Sequence, residues 1–247
     1  MNEILREPTH PYRLPHFVGK PRLYVIAAEG QKTEPQYFDA LRIHYGKEHQ
    51  ESRLHVHILR RPAEEDGKSA PQYVQQMLDD FLQENQDYDF QEYDELWMVI
   101  DTDRWKIETL YELITVCKKR NYFIAVSNPC FELWLILHLT SFEKVKEDIE
   151  NATEKSRKCK QLRGSIQQNL HLGGNYREYI PLIPQAIERA KNLDITPEIE
   201  FPENIYTRVY RLVEKLTTLP KKYICFGKNV HNVIIPFTMV PKNKNVF

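Results

Sequence analysis

Short apolar runs that end in acidic residues recur along the first part of the chain, and segments of helical periodicity separate them. Residues 23–28 and 96–100 are rich in β-branched side chains and are bounded by turn or charged residues. Such runs are typical of strands buried on both faces of a parallel sheet. Residues 54–59 and 122–126 predict two further strands. The pattern favours an α/β fold, with about four or five mostly parallel strands sandwiched by helices.

Helices are predicted between these strands and throughout the C-terminal part of the chain. Thr33 supplies a hydroxyl cap and Pro35 a first-turn proline for a helix that follows the first strand. The other predicted helices lie at residues 70–83, 107–119, 176–191 and 204–216, and one more carries Glu132. The order of the strands in the sheet does not follow from this pattern.

Composition divides the chain into four regions. Residues 1–21 contain prolines among basic residues and predict an extended arm. Residues 22–140 hold the predicted strands, and residues 141–220 are charged and helical. Residues 221–247 form a basic tail, in which two short apolar segments predict a hairpin.

The overall composition is typical of a soluble globular protein. The chain has 247 residues, of which 41% are hydrophobic and 28% are charged, and its formal net charge is -1. No apolar stretch approaches the roughly 18 residues that a bilayer crossing needs, and no apolar signal segment is visible. We therefore expect a cytoplasmic protein without a membrane partner. The four cysteines include no C-x-x-C pair, which argues against a zinc knuckle or a disulfide framework.

Candidate chemistry lies in acidic residues at the ends of predicted strands. Glu29 follows the first strand, Asp101 and Asp103 follow the third, and Glu132 lies inside an apolar stretch. Because the carboxyl ends of parallel strands meet at one edge of a sheet, we expect these side chains to converge. Converging carboxylates raise each other's pKa unless a hard cation such as Mg²⁺ neutralises them. Each motif alone is equally typical of a turn or a helix cap, but their combination favours a divalent-metal site.

Three motifs resemble those of a known family. They are Glu29-Gly30-Gln31-Lys32-Thr33-Glu34 with Tyr37-Phe38, Asp101-x-Asp103, and Ser127-Asn128-Pro129-Cys130-Phe131-Glu132-Leu133-Trp134 with His138. In combination they are similar to the motifs of the RloB-like family, which belongs with the TOPRIM-type folds. Residues 206–216 are similar to the C-terminal helix of that family, so the resemblance covers about residues 23–216.

The resemblance implies a TOPRIM-like metal-binding domain that cleaves or rearranges phosphodiesters. In such a site, Glu29 is the general acid or base, and Asp101 and Asp103 hold Mg²⁺ or Mn²⁺. Glu132 completes the ligand set or binds a second ion. Lys32 either reaches the scissile phosphate or is an ordinary solvated lysine. Further residues expected to line the site are Gly30, Thr33, Glu34 and Asn128.

A basic segment in the C-terminal part is a candidate for binding nucleic acid. Its cationic residues are Lys155, Arg157, Lys158, Lys160 and Arg163. They suit phosphate contacts, although a lysine-rich helix face is as often simply solvated. No base-recognition motif distinguishes DNA from a structured RNA such as tRNA.

The resemblance also implies a partner. RloB-like proteins look like the effector half of bacterial defence modules, which work beside an ABC- or AAA-type ATPase encoded nearby. The chain has no G-x-x-x-x-G-K-[ST] loop, so any ATP-dependent switching would come from that partner. The sequence does not predict the oligomeric state.

Three function hypotheses follow from these observations. The first is a Mg²⁺-dependent nuclease that acts in antiviral defence under the control of an ATPase. The second is a catalytically silent TOPRIM-like subunit that regulates or scaffolds the ATPase. The third is a phosphatase or nucleotidyl transferase that uses the same metal site on small molecules, since metal-bound carboxylates do not specify the phosphate ester.

Overall fold

The computed structural model describes residues 22–48, 54–60, 70–152, 154–169 and 175–217. The strands are β1 (Arg22–Ala28), β2 (Leu54–Ile58), β3 (Glu95–Asp101), β4 (Tyr122–Asn128) and β5 (Tyr206–Thr207). The α-helices are α1 (Thr33–Glu48), α2 (Pro71–Glu84), α3 (Ile107–Arg120), α4 (Glu132–Leu139), α5 (Glu143–Glu150), α6 (Lys155–Asn169), α7 (Ile183–Leu193) and α8 (Val209–Thr217). The predicted arm at 1–21 and the basic tail at 221–247 lie outside the described residues. Within the described part of the chain, no helix is long and apolar enough to span a membrane.

One mixed sheet forms the centre of the fold and confirms the predicted α/β class. Its strand order is β2-β1-β3-β4-β5, with β1 to β4 parallel and β5 antiparallel to β4. Six residues of β1 and six of β3 are buried, as expected for apolar runs covered on both faces. The register pairs Ala28 with Val99 and Asp101 with Ser127, so β1, β3 and β4 end close to one another.

Two layers of helices cover the sheet. Tyr24, Ile26 and Ala28 point to a core built with α1, α4, α7 and α8. The alternate residues Leu23 and Val25 point to the opposite core, where α2 and α3 pack. This alternation follows from the two-residue period of a strand, and it allows both faces of the sheet to be buried.

Helix α4 is buried around almost its whole circumference and carries a neutral histidine in its last turn. The Nδ1 atom of His138 lies 2.9 Å from the carbonyl oxygen of Trp134, so Nδ1 carries the proton and donates it. The Nε2 atom then accepts the hydroxyl of Tyr37 at 3.2 Å, which ties α4 to α1. Burial lowers the pKa of His138 to about 4. This histidine of the third motif therefore connects two helices inside the core.

The helix predicted at residues 204–216 is wrong at its start. Tyr206 and Thr207 instead form β5, and α8 begins at Val209. The free edge of β4 accounts for the difference, because the backbone N–H of Arg208 donates to the carbonyl of Val126 at 2.7 Å. The hydroxyls of Thr207 and Ser127 also share a hydrogen bond of 2.9 Å.

The helix predicted at residues 176–191 also differs at its start. It opens as a 3₁₀ helix over Tyr176–Leu182, which contains Pro181, and continues as α7 from Ile183. Proline has no N–H for an α-helical hydrogen bond, so the α-helix begins only after it. Pro184 then occupies the first turn of α7, where its missing N–H costs nothing.

A buried ion pair fixes the loop that leads into β5. Arg208 donates to both carboxylate oxygens of Asp194 at 3.0–3.2 Å, and both side chains are almost fully buried. The remaining guanidinium donors bind the backbone carbonyls of Thr196, Ile199 and Glu200. Arg208 therefore holds the whole loop against the end of the sheet.

Replacing Arg208 with methionine should lower the free energy of unfolding by about 3–5 kcal/mol, because it leaves the Asp194 carboxylate buried without its main partner. Urea denaturation followed by circular dichroism measures the change. Lys191→Met is the control, since the Lys191–Glu214 pair is exposed and contributes at most about 1 kcal/mol. Equal losses in the two variants would contradict the assignment of Arg208 as the residue that holds this loop.

Candidate functional site

Five acidic side chains gather at the carboxyl ends of neighbouring parallel strands, and we call them the acidic cluster. Its members are Glu29, Glu34, Asp101, Asp103 and Glu132. Glu29 directly follows β1, Asp101 ends β3, and Glu132 begins α4 after β4. In the sheet, β2 lies on one side of β1 and β3 on the other, so the direction of the chain connections reverses between β1 and β3. Open α/β sheets bind ligands at such a switch point.

Glu29 is held in place by two N–H donors. Its Oε2 accepts the backbone N–H of Asp101 at 3.1 Å, and its Oε1 accepts the indole N–H of Trp105 at 3.1 Å. The backbone N–H of Glu29 itself donates to the carbonyl of Val99 at 2.9 Å, which continues the β1–β3 pairing. Burial raises the pKa of Glu29 to about 7, and the negative charge of Asp103 adds to the shift. The carboxyl is therefore fixed in position and titrates near neutral pH.

Asp101 lies at the electrostatic centre of the acidic cluster. Burial raises its pKa well above the ordinary value, and the negative charges of the other four members raise it further. Burial also raises the pKa of Asp103, while Arg104, whose Nε lies 3.8 Å from an Asp103 oxygen, opposes the shift. Burial is therefore the main cause of both shifts, and the neighbouring carboxylates add most clearly to that of Asp101.

Gly30 makes room for another carboxylate. A Cβ built on Gly30 would overlap the carboxylate of Glu34, so the absence of a side chain lets Glu34 fold back over the strand end. Burial raises the pKa of Glu34 to about 7, and the charges of Glu132 and Glu29 contribute. The Glu-Gly pair is thus explained by the approach of Glu34 and not only by a turn.

Two cations of α6 reach this edge of the sheet. The Nε atom of Arg163 donates to a carboxylate oxygen of Glu132 at 2.6 Å. Lys155 donates to the hydroxyl of Thr102 at 3.2 Å, and burial lowers the pKa of Lys155. These contacts bring the predicted basic segment and the acidic cluster into one site.

The other basic residues of α6 are placed differently. Arg157 and Lys160 are exposed, and Arg157 forms a 3.5 Å ion pair with Glu154. Lys158 is partly buried. Two of the five predicted nucleic-acid-binding residues therefore contact the site region, and these two lie eight residues apart, about two turns along the helix.

Asn128 and Thr102 form a bridge between the strand ends. The Asn128 Oδ1 accepts the Thr102 hydroxyl at 2.7 Å, and the Asn128 Nδ2 donates to the carbonyls of Glu203 and Asn204 at 3.2 and 2.6 Å. The loop fixed by Arg208 therefore supports the site through Asn128. Lys32 is exposed just before α1, and Thr33, the first residue of that helix, is partly buried.

Several residues that contact the acidic cluster lie outside the motifs visible in the sequence. Trp105 bonds to Glu29, and Arg104 lies beside Asp103. Cys159 of α6 is distant from Asp103 in sequence, but its thiol lowers the pKa of Asp103. Trp105 follows the Asp-x-Asp motif by two residues, and this proximity is the one signal that the sequence offers for it.

The donor chemistry of the acidic cluster fits Mg²⁺ or Mn²⁺. All of its side-chain donors are carboxylate oxygens, which these hard cations prefer. Burial raises the pKa values of Glu29, Glu34 and Asp101, and neighbouring carboxylates add to each shift; a divalent cation would favour their charged forms. Among the described residues, no three His, Cys, Asp or Glu side chains are already arranged around a common point. Ion binding would therefore have to draw the carboxylates together.

The raised pKa of Glu34 predicts how metal-free stability depends on pH. Its pKa is about 7 in the folded chain and about 4.3 when unfolded. The folded state binds the proton more tightly, so this contribution is complete below about pH 4.3 and is lost as the pH rises through about 7. In a chelator, the free energy of unfolding of the wild type relative to Glu34→Gln should fall between about pH 5 and pH 8, on the order of 1–3 kcal/mol. Urea denaturation across this range measures it.

The control for this titration is Glu112→Gln, because Glu112 is exposed on α3. Its profile should run parallel to that of the wild type. Saturating Mg²⁺ should stabilise the wild type more at about pH 8 than at about pH 6, since protons and metal compete for the same oxygens. Parallel profiles for the wild type and Glu34→Gln would refute the raised pKa.

Comparison with known proteins identifies the family of the chain. The family model described as RloB-like protein matches residues 24–216. No curated protein matches the chain significantly. No solved structure does so either. The match spans most of the 247 residues and includes every member of the acidic cluster, so the chain belongs to the RloB-like protein family.

Proposed function

We propose that this protein is a Mg²⁺-dependent nuclease that cleaves nucleic-acid phosphodiesters and serves as an effector of antiviral defence. The observation that carries the proposal is the crowding of four carboxylates around Asp101 at the sheet's switch point. A protein that only needed a stable core would gain nothing from buried, mutually repelling acids. Strongly shifted carboxyl groups of this kind cluster at functional sites.

The side chains suggest a division of labour. Glu29 is positioned by the N–H groups of Asp101 and Trp105, and its pKa of about 7 lets it accept or give a proton at neutral pH. Asp101, Asp103 and Glu132 would hold the metal ion, with Glu29 as a further ligand. A bound Mg²⁺ would neutralise the non-bridging phosphate oxygens and lower the pKa of a water molecule.

The cations of α6 would orient the substrate. Arg163 is about half exposed beside Glu132, so its remaining N–H donors are free to meet a phosphate at the rim of the acidic cluster. Lys155 adds a second positive charge above Thr102. Such cations offset the repulsion between the acidic cluster and a polyanionic strand of DNA or RNA.

Control by an ATPase is the second part of the proposal. Membership of the RloB-like family supports it, together with the absence of an ATP-binding P-loop from the sequence. The ATPase would be encoded nearby and would release an activity that is restrained in the isolated chain. The TOPRIM-type fold that the motifs suggest belongs to the same proposal.

The alternative function is a regulatory or scaffold subunit of the ATPase complex that carries out no chemistry. The observation in its favour is that the acidic carboxylates are not arranged as a ready metal cage in the described residues. The small-molecule phosphatase or transferase hypothesis shares the same residues and is separated from the nuclease by its substrate.

Cleavage assays with site variants test the proposal. Mixed DNA and total RNA are incubated with Mg²⁺ or Mn²⁺, with the chain alone and with its neighbouring ATPase. Glu29→Gln and Asp101→Asn should each lower the rate at least about 100-fold, because each removes a charge needed in the site. A chelator should abolish cleavage by the wild type.

Glu95→Gln is the matched control for these variants. Glu95 lies at the other end of β3, is also buried, and bonds with Trp97 and Lys215 away from the acidic cluster. Its cleavage rate should stay within about twofold of the wild type, since it removes a buried charge that the reaction does not use. Cleavage by Glu29→Gln at the wild-type rate, or no cleavage under any condition, would shift support to the scaffold or small-molecule hypothesis.

Two residues of α6 give a separate prediction about substrate binding. Arg163→Gln should lower the cleavage rate about tenfold or more and reduce the salt dependence of nucleic-acid binding by about one phosphate contact. Lys160→Gln, which alters an exposed cation on the same helix, should change the rate by less than about twofold. Filter binding over a salt series measures both, and identical behaviour of the two variants would contradict the role given to Arg163.

A further inference from the structure

A cavity of about 220 Å³ lies beside the acidic cluster, between the carboxyl ends of β1 and β2 and the helices α1 and α2. Its apolar walls come from Ala28, Pro35, Leu59 and Met77. Backbone of Gly30 and the polar side chains of Gln31 and Arg60 complete the lining. Among the described residues no acidic side chain lines it, which separates its chemistry from that of the neighbouring cluster.

The cavity and the acidic cluster share a wall. Gly30 lines the cavity and is adjacent in sequence to Glu29, so their Cα atoms are about 3.8 Å apart. The carboxylate of Glu34, a member of the acidic cluster, also lies against Gly30. A phosphate held at the acidic cluster would therefore lie close enough for an attached nucleotide to enter the cavity.

The size and lining of the cavity select a flat heterocycle. Pockets for drug-sized ligands usually span about 300–1,000 Å³, and this cavity is smaller, which suits one base and not a complete nucleotide. Apolar walls such as Leu59 and Met77 pack against the faces of a base. The amide of Gln31 offers both a donor and an acceptor to a base edge.

Arg60 is placed to contact the backbone of the same nucleotide. Its guanidinium bonds to Asp39 of α1, which fixes its direction, and its side chain is about half exposed. Asp39 occupies one edge of the guanidinium, so donors remain for a phosphate. Gln31 and Arg60 together complement a nucleotide, because an amide can hydrogen-bond a base edge and a guanidinium can bind a phosphate.

We propose that this cavity binds the nucleobase of a nucleotide next to the scissile phosphate, with Gln31 contacting the base edge and Arg60 the flanking phosphate. The proposal rests on the nuclease function above and adds a binding register to it. The base comes from a nucleic-acid strand, and a free nucleotide is the other source that offers the same chemistry.

Abasic scanning tests this proposal without depending on cleavage. A labelled single-stranded oligonucleotide is bound to the full chain in a chelator, and fluorescence anisotropy is compared with oligonucleotides that lack one base at each position in turn. For the wild type, loss of one particular base should weaken binding about tenfold. Gln31→Leu should weaken binding of the intact strand by about fivefold to tenfold. Its affinity should not fall further when that one base is removed.

Two further variants test whether the cavity itself is responsible for the loss of binding. Met77→Trp should fill the cavity and reproduce the loss caused by Gln31→Leu, while Gln72→Leu on the exposed face of α2 should bind like the wild type. Thermal melting checks that each variant is folded. Equal effects of all abasic positions, or a normal abasic response in Gln31→Leu, would overturn the proposal.

Competition distinguishes the two sources of the base. A nucleoside monophosphate and ribose 5-phosphate are each added as competitors of the bound strand. If only the nucleoside monophosphate displaces the strand from the wild type, and it does not displace the strand from Gln31→Leu, the cavity also binds free nucleotides. Glu29-dependent cleavage without any abasic effect would overturn the cavity assignment alone. Base-dependent binding without cleavage in any condition would overturn the nuclease alone and leave the cavity assignment supported.

Discussion

Burial of neighbouring carboxylates at one edge of the sheet is the constraint on which the site in this structure depends. Asp101 is buried and feels the negative charges of four other acids. Near neutral pH such an arrangement has to be offset by protons, by nearby cations or by a metal ion. Protonation is favoured by the pKa of about 7 at Glu29 and Glu34, and Arg163 supplies part of the positive charge at Glu132.

The scaffold keeps these acids together in spite of the repulsion. The β1–β3 pairing positions Glu29 beside the backbone N–H of Asp101, and Gly30 leaves space for Glu34. On the other side, Asn128 links Thr102 to the loop that Arg208 holds. The sheet and the buried ion pair thus hold together carboxylates that would otherwise move apart because of their repulsion. Stability lost in this way is the common consequence of building a functional site.

Much of the fold was predictable because apolar periodicity reports burial directly. The segments that form β1, β3 and β4 are continuous apolar runs in the sequence. The position of Asp101 in the site was predictable because it lies at the end of such a run. The short strand β5 was not predictable, because residues 206–207 pair with β4 only through long-range contacts and local preference favoured a helix. The contacts of Trp105 with Glu29 and of Arg163 with Glu132 depend on how elements distant in sequence pack together, which no spacing rule encodes. Glu34 was expected at the site, but its position over Gly30 required the three-dimensional structure.

Calorimetric titration of Mg²⁺ into the chain tests most directly whether the acidic cluster binds a divalent cation. Repeating the titration near pH 7 in buffers of different ionisation enthalpy counts the protons released. We expect binding with net proton release, because Glu29 and Glu34 are partly protonated there, and Asp101→Asn should abolish the binding while Glu112→Gln leaves it unchanged. No measurable Mg²⁺ or Mn²⁺ binding, or binding that Asp101→Asn leaves intact, would contradict the account.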